Sequence, residues 1–185
     1  MKPKVLFLHI PKTGGSSFSY APFILLQGTV KQDPAIAVKD NKLLGCFTFV
    51  RNPYTRFSSA VMNHGFATPK TFEKFVITTF LDRYKEEFEK WTDSKWQVLQ
   101  PQYRHVYHQI DSGELEKWKG IDIIGRFENM EEDWKKVCKL AKEDFKLPHA
   151  NKNKYPFHSK YHTDKTRGIV ARVYKRDFEL FGYDI

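Results

Sequence analysis

The chain has 185 residues, room for one ordinary domain, and 41% hydrophobic against 29% charged residues predicts a packed globular core. This mixture excludes disorder, a collagen-like repeat and a low-complexity tail, and no apolar run approaches the roughly 18 residues of a membrane span. Thirty-one Lys and Arg against 22 Asp and Glu give a net charge of +9, which favours an anionic partner over a neutral one unless it is simply a basic surface. Cys46 and Cys138 are too few for a disulfide framework or a cysteine zinc site and suit a reducing cytosol. The N-terminal run Val5-Leu-Phe-Leu-His-Ile10 is too short for a signal sequence and reads as a first strand, so a cytoplasmic protein is expected.

Three apolar runs, at 5–10, 43–50 and 121–124, predict strands, with a weaker fourth at 35–38. Their near-continuous apolarity points to a parallel sheet covered on both faces. The stretch 18–26 predicts a helix that Pro22 shortens or kinks. Asn52 before Pro53 predicts a capped helix through about Asn63, with Phe57 and Val61 turned inward. Helical spacing recurs over about 69–91 and 130–145, and Asp164 is placed to cap a last helix carrying Ile169, Val170, Val173 and Tyr174. The expected fold is a single α/β domain over 1–185, a three-layer α/β/α sandwich with a short parallel sheet. No internal repeat and no linker interrupts it. Segment 146–163 stands apart, with Lys146, Lys152, Lys154, Lys160 and three His but no acid. So long a basic loop is usually functional.

The strongest local signal is His9-Ile-Pro-Lys-Thr-Gly-Gly-Ser-Ser17, which follows the first strand. Pro11 ends the strand, Gly14 and Gly15 allow a tight turn, and Ser16 and Ser17 put hydroxyls and N–H groups at a helix start. Lys12 adds a mobile positive charge, with Thr13 beside it. These donors suit a phosphate or sulfate. The Lys precedes the glycines rather than following them, so the loop is not that of an ATP- or GTP-binding Walker A motif.

A second signal is Phe49-Val-Arg-Asn-Pro-Tyr-Thr-Arg-Phe-Ser-Ser-Ala60, at the end of the second strong strand. Arg51 falls at a strand's C-terminal edge, where open α/β sheets bind ligands. Together HIPKTGGSS and FVRNPYTRFSSA resemble the sulfotransferases that use 3′-phosphoadenosine 5′-phosphosulfate (PAPS), in particular the carbohydrate sulfotransferases. The likeness continues in Ile123-Ile-Gly-Arg-Phe-Glu-Asn-Met-Glu-Glu-Asp-Trp134 and in Asp177-Phe-Glu-Leu-Phe-Gly-Tyr183. The resemblance implies a P-loop-like nucleotide-binding fold and transfer of a sulfuryl group from PAPS to a carbohydrate or polysaccharide hydroxyl, anionic glycans included. It implies that Pro11 to Ser17 hold the 5′-phosphosulfate and that Arg51 and Ser59 hold the 3′-phosphate. No metal is called for.

In-line transfer of this kind needs positioning and charge stabilisation, and Lys12 is the candidate for the latter. The acceptor hydroxyl also needs a base. The family commonly has a His or Glu between the two motifs, whereas this chain has only Asp33 and Asp40 there. Asp33 is the better candidate, against its plain reading as a turn-forming Asp-Pro pair. His64, His105 and His108 stand as alternatives, and His9 reads as a buried strand residue. A non-catalytic protein that binds PAPS, its product adenosine 3′,5′-bisphosphate (PAP) or a glycan is the competing reading. Nucleic-acid binding has only the charge in its favour, with no helix-turn-helix, zinc-finger or RNP pattern.

Overall fold

The computed structural model describes residues 2–27, 33–84, 94–148 and 158–185. In chain order the elements begin β1 (Val5–Leu8), α1 (Gly15–Phe18), β2 (Ile24–Gln27), α2 (Pro34–Asp40), β3 (Cys46–Val50) and α3 (Pro53–Asn63). Next come α4 (Phe72–Phe75), a π-helical stretch (Val76–Phe80), α5 (Leu81–Tyr84), α6 (Ser94–Gln97), α7 (Tyr103–Val106), β4 (Tyr107–Gln109), β5 (Leu115–Lys117) and β6 (Ile123–Arg126). The chain ends with α8 (Met130–Ala141), α9 (Asp164–Val173) and α10 (Lys175–Phe181). It divides into two compact units, Met1–Arg51 with Gln102–Lys152, and Asn52–Pro101 with Asn153–Ile185. Among the described residues no helix is long and apolar enough to cross a membrane.

The first unit is mixed α/β, a parallel four-stranded sheet of order β2-β1-β3-β6 flanked by helices, as expected from the apolar runs. Side chains alternate across a strand, so Val5, Phe7, Phe47 and Phe49 share one face. There they pack with Phe18 of α1 and with Trp134 and Val137 of α8. Phe7 lies 4.9 Å from Phe47 between ring centroids, Phe18 4.5 Å from Phe49, and Trp134 stacks on Phe18 at 5.5 Å. A two-stranded antiparallel pair, β4 with β5, joins this unit without an advance signal in the sequence.

Several expectations are corrected. Residues 35–38 are helical, not a strand: Asp33 caps α2 by accepting the Ala35 N–H at 2.8 Å, and Pro34 takes the first helical position. The stretch 18–26 is not one helix, because α1 ends at Phe18 and Ile24–Gln27 pairs in parallel with β1. The pattern from 69 breaks into α4, the π-helical stretch and α5, with 85–93 outside the described residues. The pattern expected over 130–145 stops at Ala141, where Lys142 turns left-handed at φ 53°, and Phe145 lies outside any helix or strand. Thr163, not Asp164, caps α9, through a reciprocal pairing with Thr166, and Tyr174 separates α9 from α10.

The second unit is helical, with a core of Phe57, Phe72, Phe80, Val170, Tyr174 and Phe178. Asn52 caps α3 as its sequence requires, accepting the N–H groups of Tyr54 and Thr55. Phe57 and Val61 are buried as expected. His162 is pinned against α3: its Nε2 lies 3.0 Å from the Tyr54 carbonyl and 2.6 Å from Ser58 Oγ, which itself donates to that carbonyl. A carbonyl only accepts, so the proton sits on Nε2, and Nδ1 is buried with no hydrogen-bond partner. Protonating Nδ1 would bury an unmatched donor. Burial first, and then the Arg167 charge, therefore lower the pKa from 6.5 to about 4, against the opposing Tyr54 bond.

The sign for stability follows. The unfolded chain takes up this proton near pH 6.5, whereas the folded chain resists until about pH 4. His162 therefore contributes stability fully above pH 6.5 and loses it as the pH falls toward 4. Urea midpoints measured from pH 7.5 to 4 should fall across that window in the wild type. They should fall less in His162→Gln, and parallel profiles would refute the assignment.

Candidate active site

Parallel pairing brings the C-terminal ends of β1, β3 and β6 to the same edge of the sheet, with Leu8 opposite Thr48 and Val50 opposite Arg126. Thr48 Oγ1, fully buried, donates to the Leu8 carbonyl at 2.8 Å and ties the end of β1 to β3. Beyond β1 the chain turns through Pro11 with two left-handed residues, Lys12 at φ 70° and Gly14 at φ 93°. Thr13 is completely buried between them, and its hydroxyl donates to the Ile10 carbonyl at 2.8 Å, closing the turn on itself. At Gly14 a side chain would also crowd Phe127 at 3.1 Å and collide with Met130. Gly15 opens α1, which no side chain caps. The first N–H groups of a helix have no intrahelical acceptor, so those of Gly15 and Ser16 are the donors the turn presents. Ser16 is exposed and Ser17 half-buried, with the Ser17 N–H donating to the Gly14 carbonyl at 2.9 Å.

Arg51 directly follows β3 and is 7% exposed. Its main chain is gripped by the fully buried Gln102 side chain: the Arg51 N–H donates to Oε1, and Nε2 donates to the Arg51 carbonyl, both at 2.8 Å. Arg51 Nη1 donates to the Lys12 carbonyl at 3.3 Å, and the guanidinium lies 4.2 Å above the Phe127 ring centroid. Such a contact leaves the charge intact while fixing the plane of the fork. Phe127 is held in turn by the end of β6, where the Arg126 N–H donates to the buried Asp133 carboxylate of α8 at 2.7 Å. Three strand ends thus converge on one cationic corner.

Pro11 to Ser17 and Arg51 are accordingly brought together within the first unit. Ser59 belongs to the second unit, on α3, where it is 1% exposed and its Oγ accepts from Asn63 Nδ2 at 3.2 Å. Among the candidates for a base, Asp33 caps α2 and His64 ends α3 on the surface. His105 is buried in α7, and His108 stacks on Trp118 at 4.0 Å with Glu116 3.9 Å from its Nε2. His9 is not in β1 but half-buried beyond its end, packed against Gly15. Of the basic segment 146–163, residues 149–157 lie outside the described residues. Among those described, no group of three or more His, Cys, Asp or Glu is arranged to hold a metal ion.

Gln102 and Phe127 are the residues that sequence reasoning did not single out. Phe127 lay within a noted motif. Gln102, fifty-one positions from Arg51, carries no local signal at all.

The first unit is thus a parallel sheet flanked by helices, with a glycine turn after its first strand and an arginine directly after a neighbouring one. The model of the sulfotransferase family matches residues 1–184, and the chain belongs to that family. A search of curated proteins and a search of solved structures each returned no match.

Gln102→Leu would leave the buried Arg51 N–H and carbonyl without their partners. Each unmade buried group costs about 1–3 kcal/mol, so the variant should unfold at clearly lower urea than the wild type. An unchanged midpoint would show that the grip on Arg51 has no energetic weight.

Proposed function

We propose that this sulfotransferase uses PAPS and transfers its sulfuryl group to a hydroxyl of a carbohydrate or polysaccharide. The observation that carries the reading is the meeting of the Lys12–Gly15 turn with the Arg51 guanidinium at one sheet edge. The residues fit a bisphosphorylated, sulfated nucleotide. The turn has no Cβ at 14 or 15, no side chain caps α1, and a second cation lies alongside. The family model spans both units, which supports taking 1–185 as one sulfotransferase domain. Binding without transfer, the competing reading, gains nothing from membership of a transferase family.

PAPS supplies an activated sulfuryl group whose transfer makes one S–O bond and breaks another. In this reading Thr13 to Ser17 form the 5′ cradle: Gly15 and Ser16 offer main-chain N–H groups, Ser16 and Ser17 offer hydroxyls, Thr13 closes the turn behind them, and Pro11 fixes the exit of β1. Arg51 binds the 3′-phosphate, with Ser59 as its partner on the strength of the resemblance. Lys12 offsets the charge that grows on the departing phosphate oxygen. A base takes the acceptor proton, and Asp33 stands for that role by its place between the motifs. Both cysteines are free, which supports a reducing compartment such as the cytosol. The +9 charge supports acceptors that are anionic glycans, and Lys146 of the basic segment belongs to that argument.

Lys12→Ala should separate binding from chemistry. An interaction that strengthens toward the transition state lowers turnover more than ground-state affinity when it is lost. Single-turnover sulfuryl transfer should fall about 10²–10³-fold, while PAP affinity by calorimetry changes far less. Lys12→Arg should rescue poorly, since a planar fork does not replace a compact ammonium in a tight turn. Arg51→Ala should show the opposite balance, with PAP affinity lost first. With radiolabelled PAPS, label should pass to glycans; transfer to phenols alone overturns the acceptor class, and a wild-type rate in Lys12→Ala overturns the mechanism.

A further inference from the structure

The two glycines of the turn are glycine for different reasons. Gly14 needs its left-handed backbone, at φ 93°. Gly15 does not, because it lies in the helical first position of α1 with an ordinary negative φ. What forbids a side chain there is His9. A Cβ on Gly15 would collide with His9 Nε2 and Cδ2 and come within 3.2 Å of Cε1. The imidazole also neighbours Phe7, 5.5 Å away between ring centroids and tilted by 44°. Phe7 is itself fixed in the core by Phe18 and Phe47, at 4.9 Å each. The ring therefore touches both the core and the main chain of the turn.

We propose that His9 is a positioning residue of the cofactor turn: its imidazole, packed on Phe7 and on Gly15, sets where the first turn of α1 stands, so positions 9 and 15 form a matched pair. This rests on reading the turn as the PAPS cradle. Burial, and then the Lys12 charge, lower the His9 pKa, so the seat is an uncharged ring at neutral pH. A neutral ring adds no charge to the site. Its contribution is shape, and it acts on anion donors only through Gly15.

The test is a double-mutant cycle of wild type, His9→Ala, Gly15→Ala and the double variant, read by PAP affinity and by the melting temperature without ligand. Gly15→Ala should weaken PAP binding about tenfold or more, because the new methyl group must push the ring or the main chain aside. Removing the ring gives that methyl group its space. The double variant should therefore bind PAP about as well as His9→Ala, and better than Gly15→Ala. Losses that simply multiply overturn the pairing. Coupled melting temperatures with unaltered PAP affinities in every variant would make the ring a packing residue only and overturn the positioning role. If Gly15→Ala does not fold, recovery of folding in the double variant supports the seat, and failure of both overturns it. If the wild type binds no PAP, the proposed function fails, and the melting cycle alone then decides whether the pair is coupled.

Discussion

The side-by-side pairing of β1 with β3 is the constraint on which the rest of the first unit depends. Because both strands run the same way, each delivers its following residues to the same edge, and the Thr48 hydroxyl fastens that edge at the Leu8 carbonyl. An antiparallel pair would have put the glycine turn and Arg51 at opposite ends of the sheet. The core follows the same logic. Phe7 and Phe47 stack across the two strands, and Phe18, the last residue of α1, closes over them. The short helix that opens at the turn is thus anchored by the ring cluster beneath it.

The corner is built from main chain and cations. Arg51 is oriented three times over: by the Gln102 amide on its backbone, by the Phe127 ring on its face, and by the Lys12 carbonyl at its fork. The amide fixes where the main chain of Arg51 leaves β3, and the ring and the carbonyl fix the plane of its guanidinium. The Asp133 carboxylate holds the Arg126 N–H and the Lys136 ammonium beside this corner. Preorganisation of this sort is what charge stabilisation in transfer reactions requires.

Much of this was legible because it is local. The runs 5–10 and 43–50 are nearly continuously apolar, as strands covered on both faces are, and each contains a strand, Val5–Leu8 and Cys46–Val50, while Asn52-Pro53 states its own helix start. The turn was legible because Pro11, Gly14 and Gly15 are punctuation whatever surrounds them. What failed was local ambiguity settled by distant partners. Residues 24–27 are as apolar as a helix face, and pairing with β1 makes them a strand. Residues 35–38 are a short apolar run like a strand's, yet the cap at Asp33 starts a helix that leaves Ile36 exposed and Ala37 buried. Gln102 was invisible for the plainest reason: its partner is the backbone of a residue far along the chain, and backbone has no sequence.

Lys12 occupies a backbone conformation that a side chain disfavours by about 1–2 kcal/mol. Glycine would take that conformation without strain, so the backbone by itself does not select a lysine there. Under the proposed mechanism, backbone strain and chemistry pull in opposite directions at this position. Drift under relaxed selection would therefore move it toward glycine or asparagine. Relief of the backbone strain would then mask the change in measures of stability, while the charge on which the proposed mechanism depends would be gone.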